Sequence, residues 1–415
     1  MMVATVAQAT IDSIAAGGDG VARVGGMVVF VPRTAPGDVV DIEYEAKGRF
    51  ARGRELAPRA ASPARVEAAC RHYDGNRCGG CQIQHLAYPA QLDAKAAIVR
   101  DAIRRIARRP IDLPVVRPAA SPWRYRRKLT LALRSTAPGT WVAGLHPYDD
   151  PAAIFALAEC PITEDRVLAV WRDVLAAGDA LPRSAALRGA VRFDDAGAAS
   201  LVIEGGAVWR DASRLLERVP ALDSIWWMPN GKRTAGRVAA RRPDAAPGAA
   251  FGQVNAAVAA ELRRRVIERV VAHEPAHVID GYAGTGETAI ALASPTRRVT
   301  AIELDQAASA WCAERLPAGS RAISARVETA LAAALPADVV VLNPPRAGTD
   351  QRVTQVLEVA TPRPRAIVYV SCDPATLARD LGRLPSWRIA SLVSFDMFPQ
   401  TAHVETVCEL VPEAA

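Results

Sequence analysis

The sequence predicts an α/β protein: a doubly wound, mainly parallel sheet in the C-terminal part, preceded by a small antiparallel β-barrel and a mixed α+β central region. Three observations carry that expectation. From about residue 246, the buried-strand runs "HVIDGYAGTGETAIALA", "VTAIELD", "ADVVVLNPPRAGTD", "RAIVYVSCDP" and "HVETVCELV" are mostly separated by helix-like stretches, the pattern of a doubly wound sheet. Residues 1–60 instead interleave glycine turns with short β-rich runs such as "MVVFVP" and "VVDIEYEA", as small barrels do. Residues 61–245 hold clustered cysteines, a basic helix-like segment, and then strands and loops with turns such as "DDAG" and "EGG".

The 415 residues suffice for two or three domains, at roughly 100–200 residues each. Half the residues are hydrophobic and 23% are charged, which excludes a disordered chain. The sequence holds no apolar run long enough to span a bilayer. Its N-terminus lacks a basic region ahead of the first apolar residues, so no signal peptide is expected and the protein is placed in the cytoplasm. The net charge of +7 favours a polyanionic partner, though surface solubility alone would also account for it.

The barrel carries Lys47, Arg49, Arg52 and Arg54 in a short span, and small barrels with basic edges bind single-stranded nucleic acid. In the central region "YPAQLDAKAAIVRDAIRRIARRP" reads as a basic helix and "WRYRRKLTLAL" as a strand. On that strand Arg124, Arg126 and Lys128 are expected on one face and Tyr125 and Arg127 on the other. A cationic strand beside aromatic rings suits a phosphate backbone with unstacked bases.

Seven cysteines, Cys70, Cys78, Cys81, Cys160, Cys312, Cys372 and Cys408, make an odd number, which in a reducing compartment argues against a disulfide framework. Cys70, Cys78 and Cys81 lie close together in "CRHYDGNRCGGC", a grouping that suits zinc or an iron–sulfur group.

The C-terminal sheet carries a nucleotide-site pattern. "DGYAGTGE" places Gly284 and Gly286 in a turn between a strand and a helix, where the backbone can approach a ligand. The next strand, "VTAIELD", ends on Glu303, an acid placed to accept both hydroxyls of a ribose. The turn is not the dinucleotide G-x-G-x-x-G, so the pair fits S-adenosylmethionine better than a pyrophosphate cofactor. "NPPR" stiffens a further strand end. Cys372 follows the strand "AIVYVS", and Glu405 opens a strand-like run after a proline-containing loop. A thiol and a carboxylate at neighbouring strand ends suggest addition to an electrophilic carbon followed by proton removal. Uracil poses that problem, because its C5 becomes nucleophilic only after a thiolate has added at C6. Cys312 and Cys408 read as buried small hydrophobes.

With these residues in place the chain resembles the RNA uridine-5-methyltransferases, in the branch with an N-terminal TRAM barrel and an iron–sulfur cluster. The resemblance rests on "CGGCQIQH", "FGQVN", "DGYAGTGE", "NPPRAG", "YVSCDPATLARDL" and "DMFPQTAHVE", in the family's order along nearly the whole chain. It implies a Rossmann-like class I methyltransferase domain from residue 246 to 415, an OB-like TRAM barrel over 1–60, and a central cluster-bearing, RNA-binding domain over 61–245. It implies Cys372 as nucleophile and Glu405 as base. Gln253, Tyr282, Glu287, Glu303 and Asn343 would contact S-adenosylmethionine, and Cys70, Cys78, Cys81 and Cys160 would ligate a 4Fe–4S cluster. The implied partner is RNA, 23S ribosomal RNA ahead of transfer RNA, with no membrane and with the protein acting as a monomer. In two places the chain departs from the family: Asn343 stands where Asp is commoner, and the loop between Cys70 and Cys78 is longer than usual.

Three other readings compete. An amino-methyltransferase would carry an aromatic after N-P-P, where this chain has Arg346. A cytosine C5-methyltransferase would place its cysteine after proline, where this chain has Ser371. An RNA-binding iron–sulfur protein with an inactive methyltransferase domain would have no use for Cys372 and Glu405.

Overall fold

The computed structural model describes residues 5–241 and 252–413. Strands β1 (Thr5–Ile14), β2 (Gly20–Val24), β3 (Met27–Val31), β4 (Val39–Lys47) and β5 (Phe50–Ala60) close into a barrel in the order β1-β2-β3-β5-β4. Ile11, Val29, Val31 and Ile42 fill the interior, and Lys47, Arg49, Arg52 and Arg54 are exposed. Gly25 and Gly26, at φ 55° and 83°, make the tight β2–β3 turn that a side chain would strain. The buried Asp38 accepts the Ser62 N–H at 2.8 Å and pairs with Arg65 at 2.8 Å, fastening the barrel's exit.

Next come the helix Tyr88–Ala102 and the short strand β6 (Val115–Arg117). The sequence suggested that this stretch belongs to the central domain; instead it packs with the C-terminal sheet. By contacts the chain forms two compact units, one of Met1–Glu67, Gln82–Ala120 and Ala257–Ala415, the other of Ala68–Cys81 and Ser121–Ala256. The physical reason is the helix's buried face. Val99 joins the core of the C-terminal sheet beside Leu377 and Leu381, and Lys95 is fully buried in an ion pair with Asp396. Losing one partner of such a pair costs about 3–5 kcal/mol. The boundary expected at residues 245 and 246 lies outside the described residues.

The second unit contains β7 (Lys128–Ala137), β8 (Thr140–Leu145), β9 (Phe155–Ala156), β10 (Ala186–Phe193), β11 (Ala199–Glu204), β12 (Ser224–Met228) and β13 (Gly236–Ala240). They form one sheet in the order β13-β12-β11-β10-β7-β8-β9. Leu131, Leu133, Val191 and Ile203 on one face pack with Val170 and Trp171 of the helix Asp165–Ala176.

The C-terminal sheet follows from β14 (His277–Gly281), β15 (Arg298–Glu303), β16 (Arg321–Ser324), β17 (Val339–Leu342), β18 (Ala366–Ser371), β19 (Trp387–Phe395) and β20 (Glu405–Pro412). Its order is β16-β15-β14-β17-β18-β20-β19-β6. Strands β14 to β18 run parallel, and β20 is antiparallel to both β18 and β19. Every residue of β14, β17 and β18 is buried, as expected of strands covered on both faces. The order reverses between β14 and β17, which opens a crevice at their carboxyl ends. Among the described residues no helix is long and apolar enough to cross a membrane.

Candidate active site

The crevice is lined by the turn after β14. Tyr282, Gly284 and Gly286 take φ of 63°, 57° and 83°, a run of left-handed backbone that the two glycines accept at little cost. Gly286 is also required by space, since a Cβ there would collide with Cys312 Sγ. Tyr282 and Ala283 donate their N–H groups to the Ile302 carbonyl, at 2.9 and 3.1 Å. Glu303 closes the turn: one carboxylate oxygen accepts the Gly284 N–H and the other the Asp305 N–H, each at 2.8 Å. Each oxygen keeps a lone pair for a further donor, as two ribose hydroxyls would require. Asn343 follows β17 with its side chain exposed, and its N–H donates to the Gly281 carbonyl at 3.2 Å. Glu287 opens the helix Glu287–Leu292, exposed and ion-paired with Arg263. Gln253 lies in the second unit, half-buried, its carbonyl accepting from Arg127 Nε at 3.0 Å.

The sequence reading passed over Asp280, the residue before Gly281. It is buried, and among the described residues its Oδ2 has no hydrogen-bond partner. Burial raises its pKa to about 7, and the nearby Glu303 charge adds to the rise. The signal was present in "VIDGYAG": an acid at the end of a fully apolar strand is costly unless it serves a ligand.

Cys372 and Glu405 are brought together by strand register. β18 and β20 pair antiparallel with Ser371 opposite Thr406, so the next step along places Cys372 opposite Glu405. Cys372 is half-buried and Glu405 buried. The helix Pro374–Gly382 starts just after Cys372, capped by Asp373, whose Oδ1 accepts the Thr376 N–H at 2.8 Å. Burial pushes the Cys372 thiol above its ordinary pKa and the Glu405 charge pushes it further, while Arg346, hydrogen-bonded to it, pulls it down. Arg346 also reaches His403, 2.8 Å from Nδ1, and its carbonyl accepts the Thr376 hydroxyl at 3.0 Å. The sequence reading noted Arg346 only as the absence of an aromatic, and it missed His403. Cys312 and Cys408 are buried in the two apolar layers of the sheet, as expected of small core residues.

The second unit carries Cys70, Cys78, Cys81 and Cys160, all buried. Cys70 precedes the short helix Arg71–Gly75. Burial raises its thiol pKa, and the proximity of Cys160 contributes. Cys78 Sγ accepts the Gly80 N–H at 3.4 Å. Among the described residues no three His, Cys, Asp or Glu side chains surround one single-ion position.

The expected strand over Arg124–Lys128 differs in form. β7 begins only at Lys128, and Arg124 is left-handed at φ 52°. The preceding residues pair with irregular chain instead: Arg126 N–H donates to Ile162 and Arg127 N–H to Val254. The two-sided pattern survives, with Tyr125 and Arg127 buried and the other three more exposed. Arg124 pairs with Asp165 at 3.0 Å. Burial lowers the Lys128 pKa, and Arg192, Arg188 and Arg126 lower it further, which identifies a local group of four cations.

Two measurements follow from this geometry. Asp280 retains its proton in the folded state up to about pH 7 but loses it near its ordinary pKa when unfolded. The burial cost of its charge is therefore absent at low pH and fully present above that value. In the ligand-free protein Asp280→Asn should raise Tm by about 5 °C at about pH 8, with the gain vanishing towards about pH 4; a pH-independent difference contradicts the assignment. For Cys372, alkylation by iodoacetamide, followed on its own peptide, should move to lower pH in Glu405→Gln and to higher pH in Arg346→Met. Unmoved midpoints would show that neither charge acts on the thiol.

Comparison with known proteins agrees with this architecture. Residues 319–411 match the tRNA (uracil-5-)-methyltransferase family and residues 2–56 the TRAM domain. An RNA methyltransferase of Gloeobacter violaceus is 32% identical, the match covering 96% of this chain and 95% of its own. One from Halalkalibacterium halodurans is 30% identical over 98% of this chain and 96% of its own. The crystal structure of Pyrococcus abyssi tRNA (uracil-54, C5)-methyltransferase with S-adenosyl-L-homocysteine superposes with a TM-score of 0.71 at 24% identity. That match covers 98% of this chain and 100% of the other, and shows that the two share a fold. With full-length relatives, a TRAM barrel and a matching catalytic segment, the chain belongs to the RNA uracil-5-methyltransferase family.

Proposed function

We propose that the protein transfers a methyl group from S-adenosylmethionine to C5 of a uridine in structured RNA, 23S ribosomal RNA first, through a covalent adduct on Cys372. The observation that carries this reading is the placement of Cys372 opposite Glu405, with Arg346 on the thiol. The Cys372 thiolate adds to C6 of the uracil, and the C5–C6 electron pair moves to form an enolate. C5 attacks the sulfonium methyl, and S-adenosylhomocysteine leaves as a neutral thioether. The Glu405 carboxylate then takes the C5 proton, the C5–C6 double bond re-forms, and the thiolate is expelled. Arg346 stabilises the thiolate at the start and again at release.

The turn after β14, with Glu303 on the ribose, Tyr282 and Asn343 beside the donor, and Glu287 as a further contact, forms the donor site in this reading. S-adenosyl-L-homocysteine in the Pyrococcus neighbour supports the choice of donor. Arg124, Arg126 and Lys128 in the second unit and the basic barrel edge would hold the phosphate backbone. Cys70, Cys78, Cys81 and Cys160 would ligate a 4Fe–4S cluster with every iron coordinated, a structural or RNA-positioning group. Four buried thiols, with Cys70 close to Cys160 and a backbone N–H on the Cys78 sulfur, suit such a group. Ribosomal RNA is favoured by the resemblance of the barrel and cysteine motifs. Transfer RNA is the second reading, favoured by the matched family's description and by the substrate of the Pyrococcus protein.

With donor and RNA carrying 5-fluorouridine, the protein should form a denaturation-resistant adduct that Cys372→Ala abolishes. On natural RNA, Glu405→Gln should transfer the methyl group and then remain trapped. Absence of adduct with the wild type on its true target overturns the mechanism, and normal turnover in Glu405→Gln removes Glu405 from the base role. Mapping 5-methyluridine in both RNA classes from a deletion strain decides the target. Protein purified without oxygen should contain iron and acid-labile sulfide in equal amounts; zinc in place of iron refutes the cluster.

A further inference from the structure

Resting on that reading, a second layer of residues controls the base. The loop that delivers Glu405 runs from Asp396 to Val404, and one face of the helix Tyr88–Ala102 holds it by polar contacts. Gln91 and Lys95, one turn apart and so on the same face, are 1% and 0% exposed. Gln91 Nε2 donates to Gln400 Oε1 at 2.9 Å, and Gln91 Oε1 accepts the Gln400 N–H at 3.0 Å. Lys95 Nζ pairs with Asp396 and donates to the Phe398 carbonyl at 3.0 Å. Tyr88, on the same side, lies near the Asp396 carboxylate, and its hydroxyl accepts the Ala119 N–H at 2.8 Å. The helix thus grips positions 396, 398 and 400 in turn.

Gln400 holds a left-handed backbone at φ 72° without being glycine, a conformation that persists only where surroundings impose it. Two residues on, Ala402 packs against Ile14 of the barrel and Ile83. A loop with only a structural duty could be covered by apolar side chains, which bury at lower cost than an ammonium and an amide. The helix that follows Cys372 meets Val99 of the same early helix through apolar side chains, while its polar ties run elsewhere. Its Asp380 accepts from Tyr369 at 2.7 Å and from the Thr349 N–H at 2.9 Å.

We propose that Gln91 and Lys95 are positioning residues for the general base: they fix Glu405 for removal of the C5 proton and leave thiolate addition and methyl transfer to the Cys372 side. The test uses full-length protein, donor labelled in the methyl carbon, and RNA from a deletion strain grown on uracil tritiated at C5. In single turnovers Gln91→Met and Lys95→Met should transfer methyl at rates close to wild type. Tritium release and breakdown of the denaturation-resistant adduct should slow by about tenfold or more, as expected when a reacting group is misplaced slightly. Both labels are read in the same molecules, so the ratio of tritium released to methyl transferred does not depend on the folded fraction. A ratio equal to the wild type in both variants overturns the proposal. Glu405→Gln, run alongside, separates the two levels: if it fails to accumulate adduct the base assignment itself falls, and if it accumulates adduct while the others do not, only the positioning role falls.

Discussion

The site depends on one departure from parallel order, the antiparallel entry of β20 between β18 and β19. In a parallel sheet every strand begins at the edge opposite the ligand crevice. Glu405 is the first residue of β20, so parallel insertion would put it at the far edge, a whole strand length from Cys372. At about 3.3 Å per residue, β18 alone would hold the two groups apart by well over the reach of a proton transfer. The antiparallel pairing makes the first residue of one strand face the residue just past the end of another. Glu405 and Cys372 then come from chain segments that are far apart in sequence and brought opposite each other by the pairing of their strands.

That closeness has an electrostatic consequence. A carboxylate beside a thiol opposes its ionisation, and burial opposes it as well, so the Cys372 thiol is held above its ordinary pKa despite the helix that begins next to it. Arg346 is the counterweight, and its place is set by backbone. Its carbonyl takes the Thr376 hydroxyl, and the loop beyond it is tied through Thr349 to Asp380. Gly348, at φ 76°, permits that close approach, since a Cβ there would collide with Thr376. In the proposed mechanism the arrangement suits a thiol that must both attack and leave. A strongly stabilised thiolate would be a good leaving group but a sluggish attacker, and opposing charges keep it between those limits.

Much of this was legible because local sequence and local structure agree. The runs "HVIDG", "VVVL" and "AIVYVS" are mostly apolar and become strands buried on both faces, and the glycine turns fall where left-handed backbone is needed. Residues that need only a strand end and a side chain, such as Glu303 and Cys372, could be placed from such runs. Asp280 was readable too, as the one acid inside an apolar strand, but it was absorbed into the glycine motif. Arg124–Lys128 misled in form because its partners, the chains at Ile162 and Val254, are irregular and distant, and no periodicity announces a strand that pairs with loops.

The helix Tyr88–Ala102 was assigned to the wrong unit for a deeper reason. Burial is normally inferred from apolar spacing, yet this helix buries Gln91 and Lys95 along with Ala94, Ile98 and Val99. With a polar amide and an ammonium on its inner face, its pattern resembles that of a solvated helix. The residues that explain it, Asp396 and Gln400, lie some 300 positions away. A buried polar contact specifies its partner more narrowly than an apolar one, because only a matching group can satisfy it. The features least visible in a sequence are therefore the ones that most restrict which two segments meet. Here they join an early helix to the loop that leads into Glu405.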